Sequence, residues 1–160
     1  CVLGLAQFFN SCSTSALITG AVLAFLLLLR RQGWLLASIA AANLPLASLV
    51  NTTLKHLFVR PRPSVPRLVE IGGYSFPSGH SFVSMSFYGL LIVLALRLLP
   101  PRARWWACLP LGGLIAAIGL SRVDLGVHYA SDVLAGLCGG FLWLTAYRRA
   151  AKRVWPRLPL

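Results

Sequence analysis

Acidic side chains are almost missing from this chain. Glu70, Asp124 and Asp132 are the three carboxylate residues among 160, beside 15 lysines and arginines. Charge of either sign is scarce as well, at 11%, where a soluble domain carries about a quarter. The four cysteines, Cys1, Cys12, Cys108 and Cys138, show no metal-ligand spacing. Cys108 and Cys138 fall inside apolar runs and read as buried small hydrophobes; Cys1 and Cys12 could pair in an oxidising compartment, though nothing requires it. Period-two alternation, internal repeats and low-complexity tracts are absent, which argues against strands, solenoids and tails. No charged segment precedes the first apolar run, so a signal peptide is not expected. What fills the chain instead is apolar: 58% hydrophobic residues and a mean hydropathy of +0.76. The reading is an integral membrane protein built from helices.

Five apolar runs are visible, near 15–29, 34–54, 81–99, 105–120 and 131–147. Each suits a helix of about 15–21 residues, and about 20 cross the hydrocarbon core. The expected fold is therefore all-α, a polytopic transmembrane bundle in one domain over residues 1–160. The net charge of +12 would suit nucleic acid. Most of it, however, lies in short turns between apolar runs, so nucleic acid is set aside. Arg30, Arg31, Arg97, Arg102, Arg104, Arg148, Arg149, Lys152, Arg153 and Arg157 fall on one side, which makes ten. Lys55, Arg60, Arg62, Arg67 and Arg122 fall on the other, which makes five. The richer side is expected in the cytoplasm. All three carboxylates and all three histidines then share the outer side. Trp34, Trp105, Trp106 and Trp155 sit near cytoplasmic ends, as interfacial anchors do.

Three polar clusters interrupt the apolar pattern. The first is Lys55 to Pro63, with an Arg-Pro-Arg-Pro core. Lys55 and Arg62 are seven apart, two turns of a helix if it continues that far. The plain alternative is a basic loop against headgroups. The second cluster, Ser75 to Ser81, opens the third run with Pro77, Ser78, Gly79 and His80. Helix-start amides attract anions, and glycine lets a ligand come close; a simple N-cap is the plain alternative. The third cluster is Ser121 to Asp132. His128 and Asp132, four apart, share a face if helical, and the carboxylate can then hold one ring nitrogen and leave the other free. A packing His–Asp pair is the alternative, but ionisable groups at membrane depth are costly and usually functional.

In order, the clusters read Lys-x6-Arg-Pro, Pro-Ser-Gly-His and Ser-Arg-x5-His-x3-Asp. This resembles the type 2 phosphatidic acid phosphatase superfamily, at Lys55, Arg62, Pro63, Pro77, Ser78, Gly79, His80, Ser121, Arg122, His128 and Asp132. The resemblance implies a core like that of the vanadium haloperoxidases. It implies His128 as nucleophile forming a phosphohistidine, with Asp132 orienting it. His80 is implied as general acid and then base. Lys55, Arg62, Arg122, Ser78 and Gly79 are implied as the phosphate cradle. No metal or other cofactor is implied. Family members usually have six spanning helices, so one more is expected ahead of Cys1.

The function expected is hydrolysis of a lipid phosphate or diphosphate at the outer face of a bacterial inner membrane. Candidates are undecaprenyl diphosphate, which is favoured, phosphatidylglycerol phosphate and phosphatidic acid. The alternatives are a vanadium-haloperoxidase-like enzyme, against which hydropathy argues, and a small transporter, which would need charges at mid-helix depth. Asn43 and Asn51 are expected to bond between helices. Asp124 is expected to pair with an arginine, His56 to lie at the interface, and Arg60 and Arg67 to greet a second phosphate or the headgroup plane.

Overall fold

A computed structural model describes residues 33–64 and 72–160, together with positions 22, 24, 26 and 29–31. The first apolar run, Arg67, Glu70, Cys1 and Cys12 lie wholly or largely outside the described residues. Within them the chain forms α1 (Trp34–Phe58), α2 (Gly79–Leu98), α3 (Pro101–Asp124) and α4 (Ala130–Val154). The four helices are 20–25 residues long and apolar enough to cross a membrane. They run up and down, so the α1–α2 connection and the α3–α4 turn lie at the same end.

The helices overrun the apolar runs into polar flanks, because a backbone in lipid satisfies its own amides by staying helical. Lys55 and Arg122 thus ride on the last turns of α1 and α3. α1 stops at Val59, which takes a left-handed φ of 47° and returns its amide to the Lys55 carbonyl. A β-branched residue seldom adopts that conformation. The break means that Arg62 reaches its place from a loop and not from the helical face that the spacing suggested.

α2 is the central helix and packs on α1, α3 and α4. Its crossing with α4 is close because α4 carries Gly136 and Gly140. A Cβ at Gly136 would come within 2.7 Å of the Ser78 carbonyl, and one at Gly140 would collide with the Phe82 carbonyl. Small residues four apart let two helix backbones approach in a membrane. This contact sets the start of α2 beside the start of α4.

Asn43 bonds between helices as expected. Its amide donates to the Ser86 carbonyl, and its oxygen accepts from the Ser86 hydroxyl and from Trp143 Nε1, each at 3.0 Å. Asn51 differs: it is buried, and its Nδ2 has no hydrogen-bond partner among the described residues. Cys138 is exposed and Cys108 partly so. They are not buried core residues, since the outer faces of α3 and α4 are themselves apolar. Trp34, Trp105, Trp106 and Trp155 are exposed at the end away from the α3–α4 turn.

Candidate active site

Six pieces of chain meet at one end of the bundle: the end of α1, the residue 59–64 and 72–78 stretches, the start of α2, the end of α3, and the turn into α4. The two loop stretches are joined by the Ser75 amide, which donates to the Arg60 carbonyl at 2.9 Å. Lys55 Nζ donates to the Tyr74 carbonyl at 2.7 Å. Arg62 is clamped by three carbonyls: Gly73 at 3.1 Å, Gly72 at 3.0 Å and Val127 at 2.9 Å. Its Nη1 lies 3.4 Å from His128 Nε2.

Arg122 is fully buried, with Nε and Nη2 at 3.2 and 3.1 Å from the Ser121 hydroxyl. That hydroxyl in turn donates to the Ile118 carbonyl at 2.8 Å. Burying a guanidinium is expensive unless acceptors meet its donors, and the Ser121 hydroxyl is one of them. Ser78 and Ser81 are also buried, and the Ser81 hydroxyl donates to Ser78 Oγ at 3.0 Å, which leaves the Ser78 proton for another acceptor. Ser78 occupies the position before α2 without capping it through its side chain. Its amide donates instead to the Asp132 main-chain carbonyl at 3.0 Å and locks the two helix starts together. At Gly79 a Cβ would meet Asn51 Oδ1 at 3.1 Å. The next residue, His80, is partly buried in the first turn of α2.

His128 does not share a helix with Asp132. It lies in the turn before α4, while Asp132 is in that helix's first turn. The separation of His128 Nδ1 from Asp132 Oδ2 is 3.6 Å, too long for a hydrogen bond. The Ser75 hydroxyl fills the gap: it lies 3.3 Å from Nδ1 and donates to Oδ2. Oδ2 also accepts the Tyr129 amide at 2.9 Å, and Oδ1 accepts Arg60 Nη1 at 2.7 Å. Burial, with Arg62 and Lys55 nearby, lowers the His128 pKa from 6.5 to about 4, against a smaller raising effect of Asp132. The imidazole is therefore neutral at pH 7.

All eight residues expected to form the site lie at this end of the bundle: His80, His128, Asp132, Lys55, Arg62, Ser78, Gly79 and Arg122. Two others were not expected in these places. Arg60, expected to greet a second phosphate or the headgroup plane, is the ion-pair partner of Asp132, also donates to Ser131 Oγ at 3.0 Å, and lies 4.3 Å above the Tyr129 ring. Ser75 begins the second cluster but carried no role there. Neither is separated from a solvated polar residue by any pattern along the chain. Asp124 is exposed, and the ion pairs among the described residues involve Asp132 instead. His56 is exposed and meets the Tyr74 ring edge-on at 5.6 Å. Among the described residues no three His, Cys, Asp or Glu side chains converge as metal ligands would.

A helical membrane bundle that gathers Lys55, Arg60, Arg62 and Arg122 with His80 and His128 at one end is suited to meeting an anion there. Comparison with known proteins agrees. The model of the PAP2 superfamily matches residues 32–156, and the chain belongs to that superfamily. Phosphatidylglycerophosphatase B of Bacillus subtilis (strain 168) is 35% identical over 96 residues, covering 59% of this chain. The chain spans 47% of that protein's length. Decaprenylphosphoryl-5-phosphoribose phosphatase of Mycobacterium tuberculosis (strain H37Rv) is 33% identical over 141 residues, covering 86% of this chain and 71% of the relative. The crystal structure of a transmembrane PAP2-type phosphatidylglycerolphosphate phosphatase from Bacillus subtilis superposes with a TM-score of 0.82. It covers 98% of this chain and 79% of that one at 23% identity, a likeness of fold. The protein is an integral membrane protein of a family whose named relatives are phosphatases.

Proposed function

We propose that this protein hydrolyses lipid phosphates or diphosphates through a phosphohistidine on His128. The observation that carries the reading is the meeting of Lys55, Arg62 and Arg122 with His80 and His128 at one end of a membrane bundle. A phosphoryl group bearing two negative charges needs that many donors, and the first turn of α2 adds its amides. The charge that a metal would supply elsewhere comes here from the three cations.

In the first step the Nε2 lone pair of His128 forms a bond to phosphorus while the bond to the leaving oxygen breaks. His80 gives that oxygen a proton. In the second step water attacks the phosphorus, passes a proton back to His80, and the N–P electron pair returns to Nε2. Asp132, through the groups it holds, offsets the positive charge that the ring carries between the steps.

Charge asymmetry supports a site on the outer face, since ten basic residues lie toward the other end. The exposed apolar faces of the helices suit a substrate that arrives within the bilayer. Among possible headgroups a polyprenyl diphosphate such as undecaprenyl diphosphate is preferred. The stretch from Ser64 to Ser75 is only 12 residues long in the sequence, and so short a connection favours a bulky headgroup. The reading is tested by phosphate release from purified protein in detergent, offered undecaprenyl diphosphate, phosphatidylglycerol phosphate and phosphatidic acid. Release that resists a strong chelator and is blocked by orthovanadate supports it. No release from any of the three, or release abolished by the chelator, rejects it.

A further inference from the structure

We propose that Ser75, held in place by Arg60, sets the tautomer of His128, putting the proton on Nδ1 and the lone pair on Nε2. This rests on the reading of His128 as the nucleophile, for which the free lone pair must face the phosphorus. Ser75 is fully buried, so water does not compete for its hydroxyl.

The hydroxyl has one proton. Asp132 takes it, because a carboxylate accepts and cannot donate; among the described residues Arg60, the Tyr129 amide and Ser75 all donate to it. Ser75 Oγ therefore presents lone pairs to Nδ1 at 3.3 Å, and a stable contact there needs a proton on Nδ1. The other side of the ring gives the same answer. Nε2 faces Arg62 Nη1 at 3.4 Å, a group that can only donate. Both neighbours thus demand one tautomer, with Nε2 unprotonated and turned toward a phosphate-binding cation.

Arg60 secures Ser75 from two directions. Its carbonyl accepts the Ser75 amide at 2.9 Å, and its guanidinium holds Asp132 Oδ1 at 2.7 Å. The stack over Tyr129, 4.3 Å away, limits its swing. A lysine could carry the charge but could not stack as a plane. Ser75 and Arg60 are positioning residues, since they act through His128 and Asp132. During turnover the Nδ1 proton stays in place, and the chain from Nδ1–H through Ser75 to Asp132 stabilises the charged ring.

The test uses the whole chain in detergent with ring-¹⁵N histidine. The sequence holds three histidines, and the His128 signals are those lost in His128→Ala. Wild type and Ser75→Thr should show the Nδ1-protonated tautomer, and Ser75→Ala a mixture. On the lipid phosphate that wild type turns over, Ser75→Ala should lose about 10- to 100-fold in kcat with KM within about twofold, the size of one hydrogen bond to a charged group. Ser75→Thr should restore most of the rate. A proton on Nε2 in wild type, or an unchanged tautomer in Ser75→Ala, overturns the proposal. So does full kcat in Ser75→Ala while His128→Ala is inactive. If wild type releases no phosphate at all, the nucleophile reading fails, and the nitrogen spectra still decide the tautomer.

Discussion

The two ends of the bundle are held together differently. At the site end the buried side chains include Arg122, His128, Asp132, Ser75, Ser78 and Ser81. At the other end they are Leu36, Ile39, Ala40, Leu90, Leu94, Leu144 and Leu160. Lipid is as apolar as leucine, so the second group joins helices by close packing more than by escape from water. The first group joins them by hydrogen bonds between loops and helix starts, each with a direction. A leucine cluster tolerates a small slide. A chain of hydrogen bonds running from Arg60 to Asp132, Ser75 and His128 does not, and nucleophilic chemistry needs such placement.

Substitutions should separate these roles, beginning with the largest effect. His128→Ala should abolish phosphate release while leaving the melting temperature near that of wild type; retained turnover would remove the nucleophile. Asp132→Asn should lower kcat by about two to three orders of magnitude with little change in KM, because the carboxylate acts on the charged intermediate. An unchanged rate would make Asp132 a packing residue of the site end. Gly140→Leu should part α2 from α4 and cost both stability and activity, measured together by thermal unfolding and phosphate release. At the opposite end Leu90→Ala should cost about 2–4 kcal/mol in stability and leave KM and kcat almost unchanged; a large loss of rate there would mean that the two ends are not independent.

The smallest effect is in pH. His128 is lowered by burial and by Arg62 and Lys55 to about 4, below its unfolded value near 6.5. Between those values the unfolded chain binds the extra proton and the folded one does not. Stability from this group is therefore full above pH 6.5 and declines as pH falls toward 4. The same neutrality should keep kcat/KM free of a His128 inflection between pH 8 and about 5.5. An inflection near 6.5 that disappears in a His128 variant would show that the site is more open to water than its burial implies.

Much of this was legible along the chain. The apolar runs marked α1 to α4, because 20 apolar residues in lipid have few alternatives to a helix. The spacings Lys55–Arg62, Ser78–His80 and Arg122–His128–Asp132 marked the residues that collect at one end. The errors came where spacing was taken for geometry. Lys55 and Arg62 share a helical face only if α1 continues to Arg62, and it ends between them at Val59. His128 and Asp132 share a face only if both are helical, and His128 lies in the turn before α4. Arg60 and Ser75 had no distinguishing pattern, since an arginine in a basic loop and a serine before a helix look the same with or without a buried partner.

By itself, then, the sequence determined a helical membrane protein and marked the polar residues that collect at one end of it. Hydropathy and residue chemistry are properties of each position, so one dimension carries them. Only the tertiary structure decided that Asp132 reaches His128 through Ser75 and that Arg60 completes the link. Those contacts join residues up to 72 positions apart. They exist because Gly136 and Gly140 let α4 come close enough to α2 to bring the two helix starts together.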